Sequence, residues 1–300
     1  MRINPIIRKD LTITSRSMRY SLGMLAYEGL LMLVFMIAMR VLDNTSRYYA
    51  SLNSQKLSEF IAMFPAVSIA ELCIVALIIP MMAASAVTGE KERQTFDILM
   101  TTQIKPMQVV TGKMGSAIIR VMLYVLASVP IMAVGFTLGG ISWWVLLIYL
   151  VLTLVLAILE ASIAVFSSAV CKRTITATIM SYLIVFVICG LTFLPLLMAA
   201  IYDFALSGMN SFSLELGVSL ATLALLPNPI FMFLEFYGVS LSGGSIFVKS
   251  LVDEGLPFME IFDGGVLWIV LSVVIMLLIS FGFMKLAASK IDPMNGKSNK

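Results

Sequence analysis

Residues that commonly perform chemistry are scarce in this chain. It contains no histidine, which removes the commonest general base and the commonest metal ligand. Its cysteines, Cys73, Cys171 and Cys189, have no paired spacing that would suggest a disulfide framework or a metal site. The pair Gly112-Lys113 is followed by methionine and lacks the upstream glycine of a phosphate-binding loop. We therefore predict that the chain is not an enzyme and binds no cofactor itself.

Three acidic residues inside long apolar runs are the main candidates for a polar function: Glu28, Glu71 and Glu160. A charge at the middle of a bilayer costs about 2.5–3.5 kcal/mol on insertion scales, so such side chains tend to face the helix bundle or a cavity. They could line a pathway for a cationic or polar substrate. The alternative, which we favour, is that they are protonated or hydrogen-bonded to neighbouring helices and so hold the bundle together.

The elements that carry these residues are predicted to cross a membrane. Sixty per cent of the residues are hydrophobic and 12% are charged, whereas soluble domains are about 45–50% apolar and about 25% charged. Six apolar runs reach the roughly 20 residues that a spanning helix needs, without the alternation of barrel strands. They cover residues 21–42, 60–87, 116–138, 143–170, 175–201 and 265–287. We predict one all-α membrane domain over residues 1–300.

The distribution of lysine and arginine predicts the orientation of these spans. Basic residues concentrate in the N-terminal segment, the loop after the second run, the turn after the fourth run and the C-terminal tail. The opposite side carries only Arg40, Arg47, Lys56 and Lys249. Positive charge marks the cytoplasmic side, so both termini are predicted to be cytoplasmic, in the plasma membrane. The net charge of +3 is too small to suggest nucleic acid as a partner.

Two further segments are expected to touch the membrane without crossing it. Residues 4–20 predict an amphipathic elbow helix at the interface, capped by Asn4, with Pro5 at the first helical position. A plain positively charged flank is the alternative. The external segment 202–264 contains a seventh apolar stretch, 214–237, which is divided by Pro227-Asn228-Pro229. Because its first part is too short to span, we predict a re-entrant helical hairpin, with one kinked spanning helix as the alternative.

Residues 88–113 form the only sizeable predicted cytosolic loop. Glu90 and Glu92 come first, where they would complement the N-terminus of a helix. Three apolar residues follow at the spacing of one helical face: Phe96, Leu99 and Met100. Pro106 ends this pattern. This pattern predicts a short amphipathic helix whose apolar edge is available to a groove on a partner. A helix that lies back on the bilayer fits the pattern equally well.

Residues 88–119 read TGEKERQTFDILMTTQIKPMQVVTGKMGSAII, which resembles the signature loop of type-2 ATP-binding-cassette (ABC) transport permeases. That loop carries a Gly-Glu-(Lys/Arg)-Glu-x-Gly-Thr-(Leu/Phe)-(Glu/Asp)-x-Leu block and then a Gly-Lys pair. The residues that match in order are Gly89, Glu90, Lys91, Glu92, Arg93, Thr95, Asp97, Leu99, Gly112 and Lys113. Gln94 stands where glycine is more usual. The order of elements, from elbow through six spans to an external hairpin before the last span, is also similar.

The resemblance implies a permease subunit that pairs with a second permease, identical or related. It also implies cytosolic ABC ATPase subunits that hold the ATP and Mg²⁺, and a coupling helix in this loop that sits in a cleft of the ATPase. Most members of the family export their substrate. The implied coupling residues are Glu90, Lys91, Glu92, Arg93, Thr95, Phe96, Asp97, Leu99 and Met100. The alternative is an ATPase-independent carrier or scaffold, although no internal inverted repeat is apparent.

Overall fold

The structure is a computed structural model that describes residues 17–48, 55–95, 106–139, 142–205, 222–245, 248–249, 259–262 and 264–291. Throughout these ranges the regular structure is helical and contains no strand. Almost all of the predicted elbow helix 4–20 lies outside the described residues.

Six long helices account for most of the described chain. They are α1 (Met18–Tyr48), α2 (Gln55–Glu92), α3 (Pro106–Gly139), α4 (Trp143–Val170), α5 (Thr174–Ala205) and α7 (Val266–Ile291). Each contains an apolar segment of 21 to 30 residues, long enough to cross a bilayer. This confirms the prediction of an all-helical chain with six potential spans, and it indicates a multi-pass membrane protein. Helix α2 continues through Pro65 and Pro80, and α3 through Pro130.

The ends of α2 and α3 differ from the predicted loop boundaries. Helix α2 extends to Glu92 and stops at Gln94, whose backbone has a positive φ of 57°. Helix α3 begins at Pro106, a position that suits proline because the first helical N–H has no partner in the helix. Residues 93–105 therefore connect the two helices, and the predicted cytosolic loop 88–113 also contains the last turn of α2 and the start of α3. The prediction that Glu90 and Glu92 begin the loop helix is wrong, because both lie in the last turn of α2.

The chain divides into two compact units, residues 1–181 with 280–300, and residues 182–279. In the first unit, α2, α3 and α4 pack around a core of valine, isoleucine and alanine side chains. Alanines on one side of α4 allow close approach of the neighbouring backbones: Ala157, Ala161 and Ala164 are fully buried. Two thirds of the span of α4 is buried (67%), against 11% for α1, so α4 lies at the centre of this unit. One domain over residues 1–300 stays a prediction.

The second unit contains the short helix α6 (Pro229–Tyr237), which continues as a π-helical turn over Gly238–Ser242. Asn228 caps α6 by accepting a hydrogen bond from the backbone N–H of Ile230 at 3.0 Å. Its side-chain amide donates to the carbonyl of Cys189 at 3.2 Å and to Thr192 Oγ1 at 2.9 Å. The break predicted at Pro227-Asn228-Pro229 is therefore present. Residues 214–221 of the predicted hairpin lie outside the described residues.

Candidate functional site at the end of α2

The candidate coupling residues divide into two groups. Glu90, Lys91, Glu92, Arg93 and Thr95 lie at or just beyond the end of α2. The other four, Phe96, Asp97, Leu99 and Met100, lie outside the described residues. The first group can therefore be placed, and most of its side chains contact other helices.

Lys91 caps the C-terminal end of α4. Its ammonium group donates to the carbonyls of Ser168 at 3.2 Å, Ala169 at 2.6 Å and Cys171 at 3.0 Å. The last carbonyls of a helix have no partner within the helix, and they form the negative end of its dipole. An ammonium group carries three protons, so it can serve all three carbonyls at once. Lys91 thus ties the end of α2 to the end of α4.

Glu92 makes the complementary contact at the start of α5. Its Oε1 accepts a hydrogen bond of 2.6 Å from the backbone N–H of Thr174, the first residue of α5. Carboxylates are favourable at a helix N-terminus because the first N–H groups lack partners in the helix. Adjacent residues of α2 therefore hold the two helix ends that flank the turn at residues 171–173.

A buried group of hydroxyls reinforces this contact one turn earlier. The backbone N–H groups of Val87 and Thr88 donate to Ser168 Oγ at 3.0 Å and 2.9 Å. Thr88 Oγ1 donates to the carbonyl of Ala84 at 2.7 Å and lies 3.1 Å from Thr174 Oγ1. Since Ser168 and Thr88 are fully buried, the end of α2 is fixed to both α4 and α5.

Glu90 links the same helix end to α3. Its Oε1 lies 2.6 Å from Lys113 Nζ, with the side chains 25% and 13% exposed respectively. We call Thr88, Glu90, Lys91 and Glu92, together with these contacts, the α2-end junction. It joins α2 to the start of α3, the end of α4 and the start of α5.

The side chains just beyond the junction face outwards. Arg93 and Thr95 are exposed, and the backbone N–H of Thr95 donates to the carbonyl of Glu90 at 3.0 Å, which closes the end of the helix. Sequence reasoning gave Glu90 and Glu92 contacts with a partner protein, whereas the structure gives each an intramolecular partner. The sequence pattern did not identify Ser168 and Thr174 as contacts of this region. The basic turn at residues 172–173 could have indicated them, because it marks two helix ends on the same side of the membrane as the loop.

The intramembrane carboxyl groups have two kinds of surroundings. Glu71 is fully buried and accepts hydrogen bonds from Tyr27 on α1 at 2.8 Å, Ser128 on α3 at 2.5 Å and Tyr149 on α4 at 2.9 Å. This arrangement favours the interhelical role over the substrate pathway for Glu71. By contrast, Glu160 Oε2 and Glu28 Oε1 are buried with no hydrogen-bond partner in the described part of the chain.

A metal centre does not form among the described residues, since no three His, Cys, Asp or Glu side chains come together there. No family model matches the sequence, and no curated protein matches it. Function is therefore inferred from the sequence pattern of residues 88–113 and from the contacts that its first residues make.

Proposed function

We propose that the chain is the membrane-spanning permease subunit of an ATP-driven exporter, worked by a separate cytosolic ABC ATPase. The observation that carries this proposal is the α2-end junction. The residues that resemble the start of the ABC permease loop are those that bind α2 to three other helix ends: Thr88, Glu90, Lys91 and Glu92.

The junction supports a mechanism for transmitting force. The ATPase contacts the connection at residues 93–105, with Arg93 and Thr95 at its exposed start. A displacement of this connection moves the end of α2. Because Lys91 and Glu92 hold the turn between α4 and α5, the displacement reaches these helices as well as α3. Packed helices that share such contacts move as units rather than deforming one by one.

The remaining parts of the proposal follow the sequence pattern. ATP and Mg²⁺ bind to the ATPase, and a second permease, identical or related, completes the pathway. Both termini are cytoplasmic in the plasma membrane, the elbow 4–20 lies at the interface, and the stretch 214–237 enters the external face as a hairpin. The short apolar helix Pro229–Leu241 supports the hairpin, because it is too short to cross the bilayer.

The test uses the permease reconstituted in lipid vesicles with the ATPase that co-purifies with it. Reversing both charges, in the double variant Glu92→Lys with Arg93→Glu, should lower permease-dependent ATP hydrolysis at least tenfold while the protein stays inserted. Two single variants separate loss of a contact with the ATPase from loss of the contact between Glu92 and Thr174. Arg93→Glu changes an exposed side chain, whereas Glu92→Gln keeps an oxygen that can still accept from Thr174.

We expect Arg93→Glu to lower ATP hydrolysis and Glu92→Gln to leave it near the wild-type level. Equal hydrolysis by the wild type and the double variant would contradict coupling through this region. An ATPase-independent carrier would show no ATP hydrolysis that depends on the permease in any of these samples.

A further inference from the structure

The hydrogen bonds around Glu71 have an unusual property: two of the three hydroxyl donors have a second acceptor within reach. Ser128 Oγ lies 2.8 Å from the carbonyl of Val125 on its own helix, as well as next to Glu71. Tyr149 OH lies 3.2 Å from the carbonyl of Ser68, as well as 2.9 Å from Glu71 Oε2. A hydroxyl has one proton, so each of these groups can donate either to the carboxyl group or to the carbonyl.

This choice of acceptors satisfies both charge states of Glu71. An ionised carboxylate only accepts, and all three hydroxyls can then donate to it. A neutral carboxylic acid must donate one proton itself. Glu71 Oε1–H can donate to Ser128 Oγ, whose own proton turns to the carbonyl of Val125. Neither state leaves a buried polar atom unpaired, which would otherwise cost about 1–3 kcal/mol. No heavy atom has to move between them.

In the described part of the chain, the groups that face the carboxyl from the packed helices carry no positive charge. Helix α1 contributes the Tyr27 hydroxyl, and the Glu28 carboxyl on the same helix interacts electrostatically with Glu71. Helix α3 contributes Ser128, and the ring of Tyr124 lies 5.4 Å from that of Tyr27. Helix α4 contributes Tyr149. Among the described residues, no lysine or arginine belongs to this group, and a proton from water can neutralise the buried charge.

We propose that Glu71 is a reversible proton-binding site within the membrane-spanning part of the chain, and that binding of the proton weakens the contact between α2 and α3. A proton from water adds to a lone pair of Oε1 and returns to water on release, with no change in covalent bonds elsewhere. Protonation of Glu71 replaces its charge-assisted hydrogen bond with Ser128 by a neutral one, which is roughly half as strong. Helices α2 and α3 flank the connection at residues 93–105. Protonation of Glu71 would therefore change how strongly these two helices are held to each other.

Infrared difference spectroscopy on the full chain in lipid nanodiscs tests this directly. Labelling with ¹³C-glutamate identifies bands from glutamate side chains. We expect a carboxylic-acid carbonyl band that grows when the pH is lowered, disappears when it is raised, and is absent from Glu71→Gln. The matched controls are Glu160→Gln and Glu28→Gln, which each remove another intramembrane carboxyl. Loss of the pH-dependent band in a control, with its retention in Glu71→Gln, would overturn the proposal.

Ser128→Ala tests the second half of the proposal and does not require Glu71→Gln to fold. It removes the partner of the protonated carboxyl, so the same band should persist at a changed frequency. An unchanged frequency would show that Ser128 does not bond to the protonated group, and the proposed weakening between α2 and α3 would be wrong. A Glu71 band that stays constant at every pH at which the protein remains folded would overturn reversible binding.

Discussion

Replacing Lys91 by methionine should release the last turn of α4 while keeping most of the side-chain volume. The variant loses three hydrogen bonds from one ammonium group to the carbonyls at this helix end. Bonds to a charged group contribute about 1.5–3 kcal/mol, and a cation at a partly buried helix C-terminus contributes up to about 2 kcal/mol. Lys91 is only partly buried, and the freed carbonyls can accept hydrogen bonds from water. The total loss is therefore smaller than the sum of the three hydrogen-bond energies. We expect local opening of this turn to become easier by about 2 kcal/mol.

Hydrogen–deuterium exchange of the peptide that covers the end of α4 measures this opening. The backbone N–H of Cys171 is protected by a hydrogen bond of 2.9 Å to the carbonyl of Ser167. A change of about 2 kcal/mol corresponds to roughly a 30-fold faster exchange of such protected amides. Lys285→Met, which changes an exposed lysine on α7, is the control and should leave the rate unchanged. Exchange in Lys91→Met within threefold of the wild-type rate would refute the capping role.

Four further predictions concern stability, measured as the free energy of unfolding in detergent. Gly265→Ala should lower it by more than about 2 kcal/mol, because Gly265 has a φ of +73° and its Cβ would lie 2.7 Å from Glu235 Oε2. Gly264→Ala, also at positive φ but with open space around it, should cost about 1 kcal/mol. Asn228→Ala should cost about 1–2 kcal/mol through the lost helix cap. Glu90→Gln should cost less than about 1 kcal/mol, with a smaller effect at high salt, since its ion pair is partly exposed.

The long helices could be predicted from sequence because crossing hydrocarbon demands a minimum apolar length, and that demand is visible locally. The end of α2 could not be predicted in this way. Hydropathy falls at Thr88, yet the helix continues to Glu92 because its polar side chains find partners on other helices. Lys91 and its carbonyl partners are 77 to 80 positions apart in the chain, and Glu92 and Thr174 are 82 apart. A local sequence pattern cannot predict contacts between positions so far apart in the chain.

The same limit applies to Glu71. Its place in an apolar run shows that the carboxyl must be neutralised or hydrogen-bonded, but it does not show which. The partners that favour the interhelical role, Tyr27, Ser128 and Tyr149, are 44 to 78 positions away. Each is common in apolar helices, so none attracts notice alone. Only the packing of α1, α3 and α4 around α2 brings the three hydroxyls to one carboxyl group.

Affinity purification of the tagged full-length chain from native membranes tests the proposed function most directly. An ATPase that carries a Walker motif should co-purify with the wild type in near-stoichiometric amount. Leu99→Glu places a charge on the apolar face predicted for the loop, so recovery of the ATPase should fall at least tenfold. Lys290→Glu, an exposed change near the end of α7, should leave recovery unchanged. Absence of any such ATPase from the wild-type sample, or equal recovery with Leu99→Glu, would contradict the account.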